Sequence, residues 1–372
     1  MLRSTGAAFL ALFTFALMGC TTDVFEQNIA KPVLEPVFEI LRPDKAAART
    51  WPKDSDSPLL TLIGTVSNDS DVRTVTQSES IFGAEVSHSL NAPFDVAVDK
   101  RGVIYVSDPG QGGIVLLRID ETAQAGTSPF ELHRDGYAPQ PGGMGYCEAG
   151  DLLGVVDKTR KSVVVYALPA MSVRGIVGSP RSLITPMDMA FSTDCAEVYV
   201  SDATSNVIKV FSLDGEQSGT LGSMGRATGE LFAPGSVTTD MAKSIYVADA
   251  FNFRYQTFTA DGVCTGANGS QGEGSGNFVS PSGIAVDKAG RVFVSDAYRN
   301  DLQIFTPSGA QILSVGAKKG GRRPGDFREP GGVFIDQMDR LYVADTGNAR
   351  VQIFQIHLPT QTAINTQSHD TQ

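Results

Sequence analysis

The 372-residue sequence holds 30 Lys and Arg against 41 Asp and Glu, a formal net charge of −11. This balance argues against a nucleic-acid surface, which needs a basic footprint to grip phosphates, and it suits solubility beside an anionic membrane. The length admits one large all-β domain or two ordinary domains, so the domain count has to come from internal pattern.

In chain order, Arg3 supplies a positive start and residues 7–18 form an apolar stretch too short to span a bilayer comfortably. Residues 1–19 therefore read as a signal peptide outside the fold. They lead into Leu17-Met18-Gly19-Cys20, which resembles the lipobox of bacterial lipoproteins. The resemblance implies cleavage before Cys20 and a diacylglycerol on its thiol. Several acyl chains, each contributing about 0.8 kcal/mol per buried methylene, would hold the mature chain at a membrane of the cell envelope. Thr21 stands where Asp would retain such a lipoprotein, so the implied address is the outer membrane in a host with two membranes. Residues 20–58, with Pro32, Pro36, Pro43, Pro52 and Pro58, read as a tether that ends in a docked segment.

From there one phrase is written six times: IYVSD ending at Asp108, LGVVD at Asp157, VYVSD at Asp202, IYVAD at Asp249, VFVSD at Asp296 and LYVAD at Asp345. The intervals are 49, 45, 47, 47 and 49 residues, a period that means a propeller or a solenoid. Each repeat spells four short strands of alternating apolar and polar residues, separated by Gly, Pro, Asp and Asn turns. Four antiparallel strands make one propeller blade. Prolines 93, 141, 186, 234, 281 and 330 open the first strands, where no ladder donor is needed. The sixth repeat stops at Ile356 without a fourth strand, and LLTLIG, ending at Gly64, matches the missing piece. The expectation is an all-β, six-bladed β-propeller over residues 59–357, its last blade closed by the N-terminal strand, followed by a polar tail over 358–372.

The phrases P-x-G-I-A-V-D, V-x-V-[SA]-D and N-x-R-V-Q-I-F resemble NHL repeats, best in the stretch from Asp345 through Asn348 and Arg350 to Phe354. Blades one and two depart from the pattern, lacking the Asn and Arg. The layout as a whole resembles lipid-anchored NHL proteins of bacteria, in which a lead such as Trp51-Pro52 precedes the closing strand.

The six repeat aspartates, Asp108, Asp157, Asp202, Asp249, Asp296 and Asp345, recur at one position per blade and so read as scaffold residues that bond backbone amides of turns. Arg254 and Arg350 are expected to pair with those carboxylates or to lie across neighbouring loops, with anion capture at the rim as the functional alternative. Asp95 and Asp188 break the repeat, standing where repeats four to six have Ser236, Gly283 and Gly332, and are placed at the channel mouth as candidate calcium ligands. Two carboxylates fall short of the six or more oxygens that calcium takes, so no firm metal or cofactor is assigned. Propellers of similar build include amidating lyases with zinc-binding histidines and gluconolactonase-type hydrolases with a channel calcium. Here His88 and His133 are the only histidines in loops of the functional face, with His357 and His369 at the end of the chain, and no G-x-S-x-G, Walker A or H-E-x-x-H sequence occurs. Cys147 and Cys195 fall near first hairpin turns of adjacent blades, a placement compatible with a disulfide, which leaves Cys264 as the odd thiol. The connection over 65–92 is much longer than the others, and Lys318, Lys319, Arg322 and Arg323 form a small basic cluster.

These residues point to a monomeric, non-catalytic binding platform of the cell envelope, presenting loops to a protein, peptide or glycan. The alternatives are a metal-dependent lyase or lactonase-type hydrolase using the channel, and an accessory subunit of an envelope electron-transfer or export complex.

Overall fold

The computed structural model describes residues 49–52, 58–67, 89–117 and 130–357. Cys20, the signal sequence, most of the tether, His88, the centre of the 65–92 connection, and the tail with His369 lie outside the described residues.

Six sheets follow one another along the chain. Blade one is β3 (Asp95–Val98), β4 (Ile104–Asp108), β5 (Gly113–Leu117) and β6 (Phe130–His133), and blade two is β7 (Pro141–Cys147), β8 (Leu152–Asp157), β9 (Ser162–Ala167) and β10 (Ser172–Val177). Blade three is β11 (Pro186–Phe191), β12 (Glu197–Asp202), β13 (Val207–Ser212) and β14 (Gln217–Leu221), and blade four is β15 (Val237–Thr239), β16 (Ile245–Asp249), β17 (Arg254–Phe258) and β18 (Cys264–Asn268). Blade five is β19 (Pro281–Val286), β20 (Val292–Asp296), β21 (Asp301–Phe305) and β22 (Gln311–Gly316). The last sheet combines β23 (Pro330–Ile335), β24 (Arg340–Asp345) and β25 (Arg350–Ile356) with β1 (Thr50–Trp51) and β2 (Leu60–Val66) from the other end of the chain.

Burial follows each strand's place in its blade. The second strands, such as Ile104–Asp108 and Val292–Asp296, are buried throughout because neighbouring blades cover both of their faces. The fourth strands alternate, as in Gln311–Gly316, because they form the rim. Each of the six apolar clusters lies between two adjacent blades: one joins Val96, Val106 and Val115 to Tyr342, Val351 and Ile353, and another joins Phe293 and Leu302 to Leu341 and Phe354. A blade therefore has no core of its own and is held by its neighbours, as in other repeat architectures.

The ring closes where the sequence places the closure. Leu60 faces Ile356, Leu62 faces Phe354 and Val66 faces Val351. The strand runs two residues beyond Gly64, because Thr65 and Val66 continue the alternation and Val66 joins the junction between blades six and one. Thr50–Trp51 adds a fifth strand to this sheet, with Thr50 opposite Thr61 and Trp51 opposite Leu60. The Trp51 ring is buried edge-on to Phe354 at 5.6 Å, and Gly325 lies so close to it that no side chain fits there. The docked end of the tether is thus part of the blade.

Candidate functional site

The loops that lead into each first strand, and those between second and third strands, open on one face of the disc around the channel mouth. The repeat aspartates end the second strands at that face, fully buried. Asp108 accepts from the N–H groups of Asn91 and Ala92 at 2.7 and 3.0 Å, Asp202 from Ile184 and Thr185, and Asp296 from Val279 and Ser280. Asp157, Asp249 and Asp345 likewise take the N–H groups of Ala138, Phe232 and Arg328. Each carboxylate also faces the turn after its own strand, as Asp108 does at Gln111 and Asp157 at Thr159. Arg254 Nε lies 2.8 Å from Asp249 and Arg350 Nε 2.7 Å from Asp345, and the Arg350 fork also donates to the carbonyls of Arg322, Arg323 and Asp326. In blade three Val207 stands opposite Asp202, and Lys209, two residues further along the strand, pairs with the carboxylate at 3.0 Å. Burial pushes the Asp202 carboxyl up, but the N–H groups of Ile184 and Thr185 and the Lys209 ammonium outweigh it and hold the group below its ordinary range. Every one of these carboxylates is consumed in tying a loop to its blade.

Asp95 and Asp188 lie deeper than the mouth, on the innermost strands, and both are buried. Asp95 accepts from Val96 N at 2.8 Å and, across the blade junction, from Met144 N at 2.7 Å. Asp188 accepts from Met189 N at 2.7 Å and reaches blade four through Ser236 Oγ at 2.6 Å and Val237 N at 3.0 Å. Ser236 repeats the device toward blade five, accepting from Ile284 N. The side chain at this repeat position thus staples its blade to the next. The glycines at the same position make room for it: a Cβ on Gly143 would overlap the Asp188 carboxylate, and one on Gly332 would overlap that of Asp95. Serines of the second strands add a parallel set of links, with Ser201 Oγ donating to Gly235 O and Ser295 Oγ to Gly331 O, each at 2.6 Å.

Burial and the charge of Asp188 push the Asp95 carboxyl well above the ordinary carboxylate range. Burial also raises Asp188, against the hydrogen bonds from Ser236, Val237 and Met189. The one cation of the group is Lys158, whose ammonium sits 3.6 Å over the Phe94 ring. Burial lowers its pKa, and the charges of Asp188 and Asp95 oppose that shift. The repeat register marks both partners in retrospect. Lys158 stands where the other blades have Pro109, Ala203, Ala250, Ala297 and Thr346, and Phe94 stands where Gly142, Gly235 and Gly331 recur. Gly142 provides the space the Lys158 stem crosses.

All four carboxylate oxygens of Asp95 and Asp188 already accept N–H or O–H groups, and among the described residues no group of three or more His, Cys, Asp and Glu side chains converges. His133 sits on β6 beside Asp135, and His357 follows the last strand against Thr61, so the two do not share a site. Cys147 and Cys195 form a disulfide, with Cα atoms 5.9 Å apart, across blades two and three on the face opposite the mouth, and Cys264 is a free thiol at the start of β18. Lys318, Lys319, Arg322 and Arg323 are exposed on the loop leading into blade six.

Residues 278–305 and 327–354 match the NHL repeat. No curated protein matches the chain. Among solved structures, it resembles a structural genomics protein of unknown function from Bacteroides thetaiotaomicron VPI-5482, with 16% identity and a TM-score of 0.60 over 80% of this chain and 79% of that one. An auxiliary nutrient binding protein from the same organism shares 11% identity at a TM-score of 0.55, covering 71% and 69% of the two chains. A streptogramin B lyase shares 12% at 0.51, covering 70% and 78%. Likeness at this identity concerns the fold. The chain is a six-bladed β-propeller with NHL repeats in its last two blades.

Proposed function

We propose that this propeller is a non-catalytic binding platform of the cell envelope, held at a membrane through Cys20 and presenting its mouth-face loops to a partner. The carrying observation is how the polar residues of the disc are used. The repeat carboxylates grip loop amides, and the channel carboxylates staple blades together, so the strongest charges are spent on a rigid ring. A rigid scaffold with variable loops is the arrangement that recognition uses. The similarity to a lyase and to a nutrient-binding protein is one of fold, and it favours neither activity for this chain.

Two measurements test the reading. Crosslinking in intact cells, followed by identification of captured proteins or glycans, should return a partner held at the loop face, and Cys20→Ala should move the chain from the membrane to the soluble fraction. A purified chain that turns over a substrate with no captured partner would overturn the platform.

A further inference from the structure

The two faces of the disc differ in charge. The described loops of the mouth face carry exposed or half-exposed Arg134, Lys161, Arg181 and Arg226, and the loop before blade six adds Lys318, Lys319, Arg322, Arg323 and Arg328, while Arg160 is paired with Asp157 and Lys158 faces Asp95 and Asp188. Against them the same described loops set Asp135, Glu230, Glu273, Asp326 and Glu329. On the opposite face the cations are paired off. Arg101 is held by Asp99 and Asp151, Arg291 by Asp287 and Arg340 by Asp336, while Lys100, Lys243 and Lys288 lie 3.4, 3.5 and 3.7 Å from Asp151, Asp194 and Asp339. Glu148, Asp214, Glu216 and Asp261 remain exposed there. Among the described residues, a chain of net charge −11 thus gathers its unpaired cations on the mouth face.

Aromatic rings are interleaved with those cations. Besides Lys158 over Phe94, the Arg160 guanidinium lies 5.6 Å from the Tyr137 ring and that of Arg226 lies 5.8 Å from Phe232. Phe232 is edge-on to Phe251, and Phe251, Tyr298 and Met224 are 59%, 68% and 70% exposed. Cations over rings present charge and apolar surface side by side, which suits a ligand carrying both carboxylates and apolar side chains.

We infer that the mouth face docks an acidic segment of a protein partner, whose carboxylates meet the loop arginines and lysines and whose apolar side chains meet Phe251, Tyr298 and Met224. The inference deepens the platform reading and rests on it. A second copy of the chain would offer its acidic opposite face in a head-to-tail contact, which forms a ring where its rotation closes and a filament where it does not, and either would show as self-association.

The test uses a labelled synthetic peptide in which Glu alternates with Leu and Tyr, titrated against the full chain by fluorescence anisotropy. Binding is expected at low ionic strength and weakens at physiological salt. The pair Lys318→Glu and Lys319→Glu, on an exposed loop, should weaken it on the order of tenfold. Tyr298→Ser with Phe251→Ser should weaken this peptide while leaving poly-glutamate binding unchanged, which separates docking from plain charge attraction. Absence of peptide binding, indifference to both variant pairs, preference for anionic vesicles or a single-stranded oligonucleotide, or self-association in place of peptide binding would each overturn the inference. A photocrosslinker at Tyr298 and another at Met338, on the opposite face, distinguish the two levels. Capture of a partner from Met338 alone refutes the acidic-segment site and keeps the platform, whereas capture from neither position removes both.

Discussion

Substituting Gly143 tests whether blades are stapled at the channel. In Gly143→Ala the new Cβ overlaps the Asp188 carboxylate and lies 2.6 Å from Asp188 Cα, so rotating the side chain away is not enough and the strands must separate. Overpacking of this kind costs about 1–3 kcal/mol. Moving the carboxylate also sacrifices bonds from Ser236 Oγ or Val237 N, each worth about 1.5–3 kcal/mol for a charged acceptor. The expected loss is about 3–6 kcal/mol, much of the roughly 5–15 kcal/mol available to a folded domain. Urea unfolding followed by far-UV circular dichroism and by the fluorescence of Trp51, the single tryptophan, measures it. In an Asp188→Gly background the staple is already gone, so the same Gly143→Ala change should cost only the overpacking share, about 1–3 kcal/mol. An equal cost in both backgrounds would refute the coupling and with it the reading of Asp188 as a staple.

Four further outcomes follow from the same geometry. Trp51→Ala empties a buried site against Phe354 and should cost about 3–5 kcal/mol in urea unfolding read by circular dichroism; a change under 1 kcal/mol would place β1 outside the cooperative ring. Replacing Cys147 and Cys195 together by Ser opens a loop of 48 residues' separation, for which chain entropy predicts about 4 kcal/mol, checked by unfolding under oxidising conditions. Arg350→Ala strands the buried Asp345 carboxylate and should cost about 3–5 kcal/mol, whereas Arg134→Ala on the exposed loop should change the unfolding midpoint little. The raised Asp95 and Asp188 pKa values mean that the folded state binds protons more tightly than the unfolded chain. Their ionised forms therefore weaken the fold at neutral pH, and this weakening is relieved as pH falls through the raised values toward the ordinary carboxylate value. The stability of the wild type relative to Asp95→Asn should accordingly rise on moderate acidification, and a fall would contradict the direction of the shift.

The fold was legible in the sequence because its information is repeated. Four short alternating strands cannot bury a core alone, so a phrase recurring every 45–49 residues requires stacked blades, and a final repeat short of a strand requires one from elsewhere. The pairing of Asp249 with Arg254 and of Asp345 with Arg350 was one of the readings the sequence offered, since those partners lie five residues apart on neighbouring strands of one hairpin. The site was legible only in part. Asp95 and Asp188 stood out by breaking the repeat, but their partners, Met144, Ser236 and Val237, belong to the following blades.

Sequence alone thus determined the number of blades, their strand order and the closure, all of which depend on local spacing and periodicity. Tertiary structure decided what happens between blades: the staples of Asp95 and Asp188, Lys158 over Phe94, Trp51 against Phe354, and the disulfide joining Cys147 to Cys195. Such pairs depend on how closely two sheets approach and where glycine leaves room, and those distances are set by packing around the whole ring.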